Sequence, residues 1–116
     1  MAAKYVISTA SNGKLHFVLK AGNGETILSS QLYASLDAAR QGVESVRANG
    51  PLDERFQRLD STRGEPYFNL VAANGQVIGK SEMYSSAKAR DGGIESVKKN
   101  AAAAAVDDRS AAAPQA

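Results

Sequence analysis

The sequence predicts an α+β protein: two tandem βββα repeats forming antiparallel sheet, with two helices packed on it and both copies sharing one core. Three observations lead there. The chain matches itself without a gap at an offset of 51 residues, apolar residues alternate with period two ahead of two segments where they recur at helical spacing, and turn pairs such as Asn-Gly punctuate the alternating runs. The match runs from Phe17 over Phe68 to Asn49 over Asn100, and fifteen of its thirty-three paired positions are identical. The copies are therefore placed at 1–50 and 51–100, followed by an alanine-rich tail at 101–116. A unit of about 50 residues buries too little apolar surface to offset its conformational entropy comfortably, so the copies are expected to share a core.

In copy one, Tyr5, Ile7 and Thr9 alternate with Lys4, Val6 and Ser8, and after Asn12-Gly13 the residues Leu15, Phe17, Leu19 and Ala21 alternate with His16, Val18 and Lys20. These are two strands and a turn. Asn23-Gly24 reads as a type I′ hairpin, which needs positive φ at both central residues, and a third strand follows around Ile27. Ser35 is placed to cap a helix, Asp37 suits its positive end, and Leu36, Ala39, Val43 and Val46 form its apolar stripe until Asn49-Gly50-Pro51 stops it.

Copy two repeats the plan from Phe56, with turns at Arg63-Gly64 and Asn74-Gly75, Phe68 and Leu70 on a strand that Pro66 opens, and a helix after Ser86. Its stripe is Ala87, Ile94 and Val97. Arg90 stands where copy one has Ala39, which makes this helix less buried or lays the arginine stem along its edge with the charged head in water. Pro51 to Glu54 is a short linker that keeps the copies in contact. The tail, Ala101 to Ala105 and onward, is expected to carry the second helix on for a turn or more and then become disordered, outside the core.

The run Asn74-Gly75-Gln76-Val77-Ile78, with Ser81 to Ser86 and Gly92-Gly93-Ile94-Glu95-Ser96-Val97-Lys98-Lys99-Asn100, resembles the YegP-like family of small, uncharacterised bacterial proteins. The resemblance extends over both copies, roughly Lys4 to Asn100. It implies a three-strand-plus-helix repeat, in tandem or as a dimer of single-repeat chains, whose copies exchange strands into a joint sheet. It implies no reaction, because the family is a domain of unknown function.

Composition narrows the chemistry. With no Cys there is no disulfide, thiolate nucleophile or Cys-based metal site, and the single His16 cannot make a His-pair site. No metal or cofactor is expected. Fourteen Lys+Arg against twelve Asp+Glu, net +2, is too near balance to announce a nucleic-acid partner. No signal peptide or apolar run long enough for a bilayer is visible, so a cytoplasmic protein without a membrane segment is the default expectation.

No constellation converges on catalysis. Asn23-Gly24 and Asn74-Gly75 lack the spaced glycines and Lys-Ser/Thr of a phosphate loop and read as hairpins. Ser35 and Ser86 read as caps, since a nucleophilic serine needs a base and the only histidine lies on a strand. Tyr33 and Tyr84 read as anchors between the third strand and the helix. Gly42 and Gly93, inside helices, mark either close helix-to-sheet packing or a ligand approaching the helix backbone. Glu44-Ser45 and Glu95-Ser96 recur as a solvated helix face, with Arg40 four residues before Glu44 and Lys99 four after Glu95. The second helix adds Lys88, Arg90, Lys98 and Lys99.

The expected function is accordingly a non-enzymatic interaction module that binds a protein or small ligand through the helix face or the groove between copies. Glu44, Glu95, Lys88, Arg90, Lys98 and Lys99 are its candidate surface. The alternative is weak nucleic-acid binding through the basic second helix. A monomer is expected, because the two repeats pair within one chain.

Overall fold

The computed structural model of the chain describes residues 3–10 and 12–109. Copy one forms β1 (Lys4–Thr9), β2 (Leu15–Lys20), β3 (Thr26–Ser29) and α1 (Leu36–Asn49). A 3-10 turn at Asp53–Arg55 leads to β4 (Phe56–Asp60), β5 (Pro66–Val71), β6 (Val77–Lys80), α2 (Ala87–Asn100) and β7 (Ala105–Asp108). One seven-stranded sheet results, in the order β4-β5-β6-β3-β2-β1-β7. Each copy is an antiparallel meander, and the meanders meet at Ser29↔Lys80 between β3 and β6.

Alternation sorts the strands into two faces. Tyr5, Ile7, Phe17 and Leu19 of copy one, with Phe68 and Leu70 of copy two, point toward the helices and are fully buried. Lys4, Val6, His16, Val18 and Asn69 lie on the other face and are half-buried. On α1 the buried stripe is Ala39, Gly42, Val43 and Val46, and on α2 it is Gly93, Ile94 and Val97, whereas Ala87 is exposed. Arg90 packs along the helix edge as expected, but its head is not left in water: the side chain is only 13% exposed and its Nε reaches Asp91 at 3.2 Å. Ser35 and Ser86 accept hydrogen bonds from the N–H groups of Ala38 and Ala89, as N-caps.

The copies share one core, with each helix packed on strands of both copies: α1 on β2 and β6, α2 on β5 and β3. Repeat-related residues then face each other at the junction. Leu28 and Gly79 occupy the same repeat position, and a Cβ on Gly79 would lie 2.7 Å from the Leu28 side chain. Gly50 and Ala101 likewise share a position, and a Cβ on Gly50 would come 2.5 Å from that of Ala101. Two leucines would overfill the first contact and two glycines would leave a void, so the repeat departs from identity where its symmetry would place like against like.

Two expectations need correction. The Asn23-Gly24 turn is not type I′, because among the described residues only glycines, Gly13, Gly24, Gly64 and Gly75, have positive φ. In the Asn23-Gly24 loop, Gly24 N–H donates to Ala21 O and Ala21 N–H to Glu25 O, so a β-turn closes before the left-handed glycine. Asn23 Oδ1 is then free to accept from Glu25 N–H at 3.0 Å, which satisfies the loop without placing asparagine at positive φ.

The tail is the larger correction. α2 ends at Asn100, Ala101 to Ala103 form a turn, and Ala105–Asp108 is a strand pairing parallel with β1, Lys4↔Ala105 through Ile7↔Asp108. Ala101 and Ala104 are buried in the core, and Ala101 O accepts from the Tyr5 hydroxyl at 2.6 Å. Small side chains let this backbone approach the ends of α1 and β1. Arg47 fastens it, donating to Ala104 O at 2.8 Å and Ala102 O at 3.3 Å. The expectation of disorder for the last residues concerns 110–116, which lie outside the described residues.

Candidate functional site

The tail's path shapes a groove beside the second helix. After α1 the chain drops directly into β4, but after α2 it crosses to the outer edge of β1. A groove of about 650 Å³ lies alongside α2, walled by Glu95, Ser96, Lys99 and Asn100 and floored by small residues of both copies, among them Ala21, Gly22 and Gly92. The repeat-related positions carry larger groups: Gln41 for Gly92, Leu52 for Ala103 and Glu54 for Ala3. A second groove of about 460 Å³ lies between α1 and Val106 of β7 and includes Arg40 and Glu44.

The helix glycines divide into two kinds. A Cβ on Gly42 would collide with the Tyr33 hydroxyl, and one on Gly93 with that of Tyr84. Tyr33 lies over Phe17 and Tyr84 over Phe68, ring planes within 11° and 13° of parallel, so each tyrosine is the expected anchor and its glycine makes room for it. Burial pushes both phenols up from their ordinary pKa, which keeps them protonated. Close packing therefore accounts for Gly42 and Gly93. At Gly92 a Cβ would meet nothing within 4 Å beyond its chain neighbours and its own helix backbone.

The charged candidates do not form one surface. Glu44 pairs with Arg47 at 3.4 Å rather than with Arg40, because Arg40 is drawn to Asp108 of β7 at 2.9 Å. Glu95 pairs with Lys98 at 3.2 Å rather than with Lys99, and Lys98 also reaches Asp53 at 3.3 Å. Arg90 is held by Asp91, itself 3.4 Å from Arg58. At about 100° per residue, Lys88 and Lys99 project to one side of α2 while Arg90 and Lys98 project to another. Both Lys88 and Lys99 are exposed. Glu95 and Lys99 alone of the six line the larger groove.

The asparagines that end the helices were not singled out by sequence reasoning, although their recurrence at Asn49 and Asn100 was visible. In each copy the amide Nδ2 donates to the carbonyl of the serine four residues earlier, Ser45 at 2.9 Å and Ser96 at 2.8 Å. Asn49 Oδ1 accepts from Arg55 Nε at 2.9 Å. Asn100 Oδ1 receives no donor among the described residues, because the residue at Arg55's repeat position is Val106, which packs under α1.

His16 stands on the sheet face away from both helices and from this groove, opposite Ser8. Among the described residues no group of three His, Cys, Asp or Glu is placed to hold a metal ion, and no helix is long and apolar enough to cross a membrane.

Comparison with known proteins follows the duplication. Residues 10–57 and 61–108 each match the family described as "Domain of unknown function (DUF1508)". The second span ends on β7, so the tail strand belongs to the family pattern. The UPF0339 protein YegP of Escherichia coli K12 is 49% identical over 108 residues, 93% of this chain and 98% of that one, and a UPF0339 protein of Acinetobacter baylyi is 52% identical over 108 residues, 93% and 97%. The solution NMR structure of the Escherichia coli yegP protein, titled as of unknown function, superimposes with a TM-score of 0.90 at 48% identity, covering 96% of each chain. A UPF0339 protein of Shewanella oneidensis gives 0.88 at 47% identity, covering 95% of this chain and 93% of that one. The relatives name no activity, and the chain belongs to the DUF1508 family, carrying two tandem copies of its domain.

Proposed function

We propose that the protein is a monomeric, cytoplasmic, non-enzymatic binding module whose binding surface is the groove between its copies. The observation that carries this is the asymmetry of the duplication: the groove beside α2 is lined by Gly92, Ala103 and Ala3, where the repeat-related positions carry the larger Gln41, Leu52 and Glu54. Glycine inside a helix costs about 0.5–1 kcal/mol relative to alanine. Gly42 and Gly93 offset that by tyrosine packing, but Gly92 gains no contact, so its cost is offset only if the open floor is used.

A mixture of small polar ligands titrated into isotope-labelled protein tests the reading. Amide resonances of Gly22, Gly92, Ser96 and Ala103 are expected to move together, and Gly92→Gln, which installs copy one's residue in open space, is expected to abolish the shifts while leaving the fold intact. Shifts that cluster elsewhere, or survive in Gly92→Gln, would overturn it.

A further inference from the structure

The identity of the ligand can be read from what the two copies do differently with the same asparagine, an inference that rests on the groove being the binding surface. Asn49 and Asn100 are clamped alike, each Nδ2 held by the carbonyl four residues back and lying 3.4 or 3.3 Å from the same serine's Oγ. In copy one the remaining acceptor, Oδ1, takes a guanidinium: Arg55 Nε at 2.9 Å, with the Arg55 Nη1 3.8 Å from the Glu54 carboxylate. In copy two Asn100 lines the open groove and its arginine is missing, Val106 standing at that repeat position.

The groove also changes charge. Lys99 stands where copy one has Ala48, is exposed, and makes no ion pair among the described residues. Glu95, one turn earlier on the same wall, keeps its carboxylate at the groove with Lys98 as its partner. An acceptor that its counterpart uses for a guanidinium, a carboxylate beside it and an unpaired ammonium next in sequence complement a cation and an anion on one small molecule. The small floor admits the aliphatic chain between them.

We propose that the groove binds a small guanidinium carboxylate, of which free arginine is the simplest member, with the guanidinium donating to Asn100 Oδ1 and the carboxylate meeting Lys99. The contacts lie at the surface, so the affinity is weak, with Kd on the order of 1 mM.

Titration of the full chain with L-arginine, agmatine, which lacks the carboxylate, and L-norvaline, which lacks the guanidinium, followed by amide NMR shifts, tests this. L-Arginine is expected to shift the resonances of Gly22, Gly92, Ser96, Asn100 and Ala103 to saturation, with agmatine and norvaline each about tenfold weaker. Lys99→Ala is expected to bring arginine down to the level of agmatine, and Gly92→Gln to remove binding by both. Equal binding of arginine and agmatine to the unaltered chain, or no effect of Lys99→Ala, overturns the proposal. If arginine fails while other ligands still shift the groove resonances, the arginine assignment falls and the groove stands; if nothing shifts them, both fall.

Discussion

The two ends of the sheet began as the same strand. β1 and β4 occupy the same repeat position, with Tyr5 over Phe56 and Ile7 over Arg58, yet β1 is covered by β7 and β4 is an outer strand. At the covered end the inward Tyr5 and Ile7 are fully buried, and the cations around them reach the added strand, Lys4 to Asp107 at 3.5 Å and Arg40 to Asp108 at 2.9 Å. At the open end the inward position belongs to Arg58, which bridges Asp53 and Asp91, each at 3.4 Å. An unpaired edge is a template for another chain, and an inward-pointing charge on a short strand is one way to blunt it. The duplication thus solved one problem twice, by covering one edge and charging the other.

Removing the cover is expected to have the largest effect. A chain ending at Asn100 loses the burial of Ala101 and Ala104, the Tyr5 hydroxyl's acceptor and the parallel ladder on β1. About 3 kcal/mol or more of stability should go, a large share of what a domain this size has, and the urea midpoint should fall accordingly. An unchanged midpoint would mean that β7 is an ornament on a core complete without it.

Next is the charged edge. Arg58→Ile copies Ile7 into β4 and leaves an apolar, uncovered strand, so the protein, proposed above to be a monomer, is expected to form concentration-dependent dimers or larger species in light scattering after size exclusion. Arg58→Lys keeps the charge and is expected to stay monomeric. If Arg58→Ile also stays monomeric, strand length or shape protects the edge instead.

The same comparison explains what the sequence made legible. Both meanders, both helices and their caps follow from periodicity and from Ser35, Ser86 and the Gly-containing turns, all local signals. β7 does not, since Ala101 to Ala105 have no alternation and alanine favours helix; those residues are a turn and a strand because β1's edge, Tyr5 and Arg47 accept them there. The ion pairs of the candidate surface were misassigned for the same reason: Arg40 has a partner on β7, and Lys98 has one in the linker, neither of them near in sequence. The groove was invisible as chemistry because its floor is alanine and glycine, although Gly92 beside Gly93 marked the place.

The smallest effects separate Arg47 from Lys98, which share a repeat position. Arg47, 26% exposed, carries two carbonyls of the tail and lies 5.4 Å from the centre of the Tyr5 ring. Arg47→Ala is expected to cost about 2 kcal/mol, because Ala104 O, close under the tail, would lose a charge-assisted donor. Lys98 holds only exposed acids, so Lys98→Ala should lower the urea midpoint at neutral pH only slightly, far less than Arg47→Ala. Its signature is pH instead. The hydrogen bond from Lys98, then that from Arg58, holds the Asp53 carboxyl below its ordinary pKa, so the contribution is present above the usual carboxylate range and is lost as pH falls through the folded-state value. The hydrogen bond to Glu95, then that to Asp53, raises the Lys98 ammonium, so its share is present below the usual lysine range and is lost as pH rises through its own folded-state value. Lys98→Ala should therefore flatten the small acid-side and alkaline-side slopes of stability, whereas Arg47→Ala lowers the whole curve. If the two substitutions gave the same displacement at every pH, the fastening of the tail by Arg47 would be no more than another surface contact.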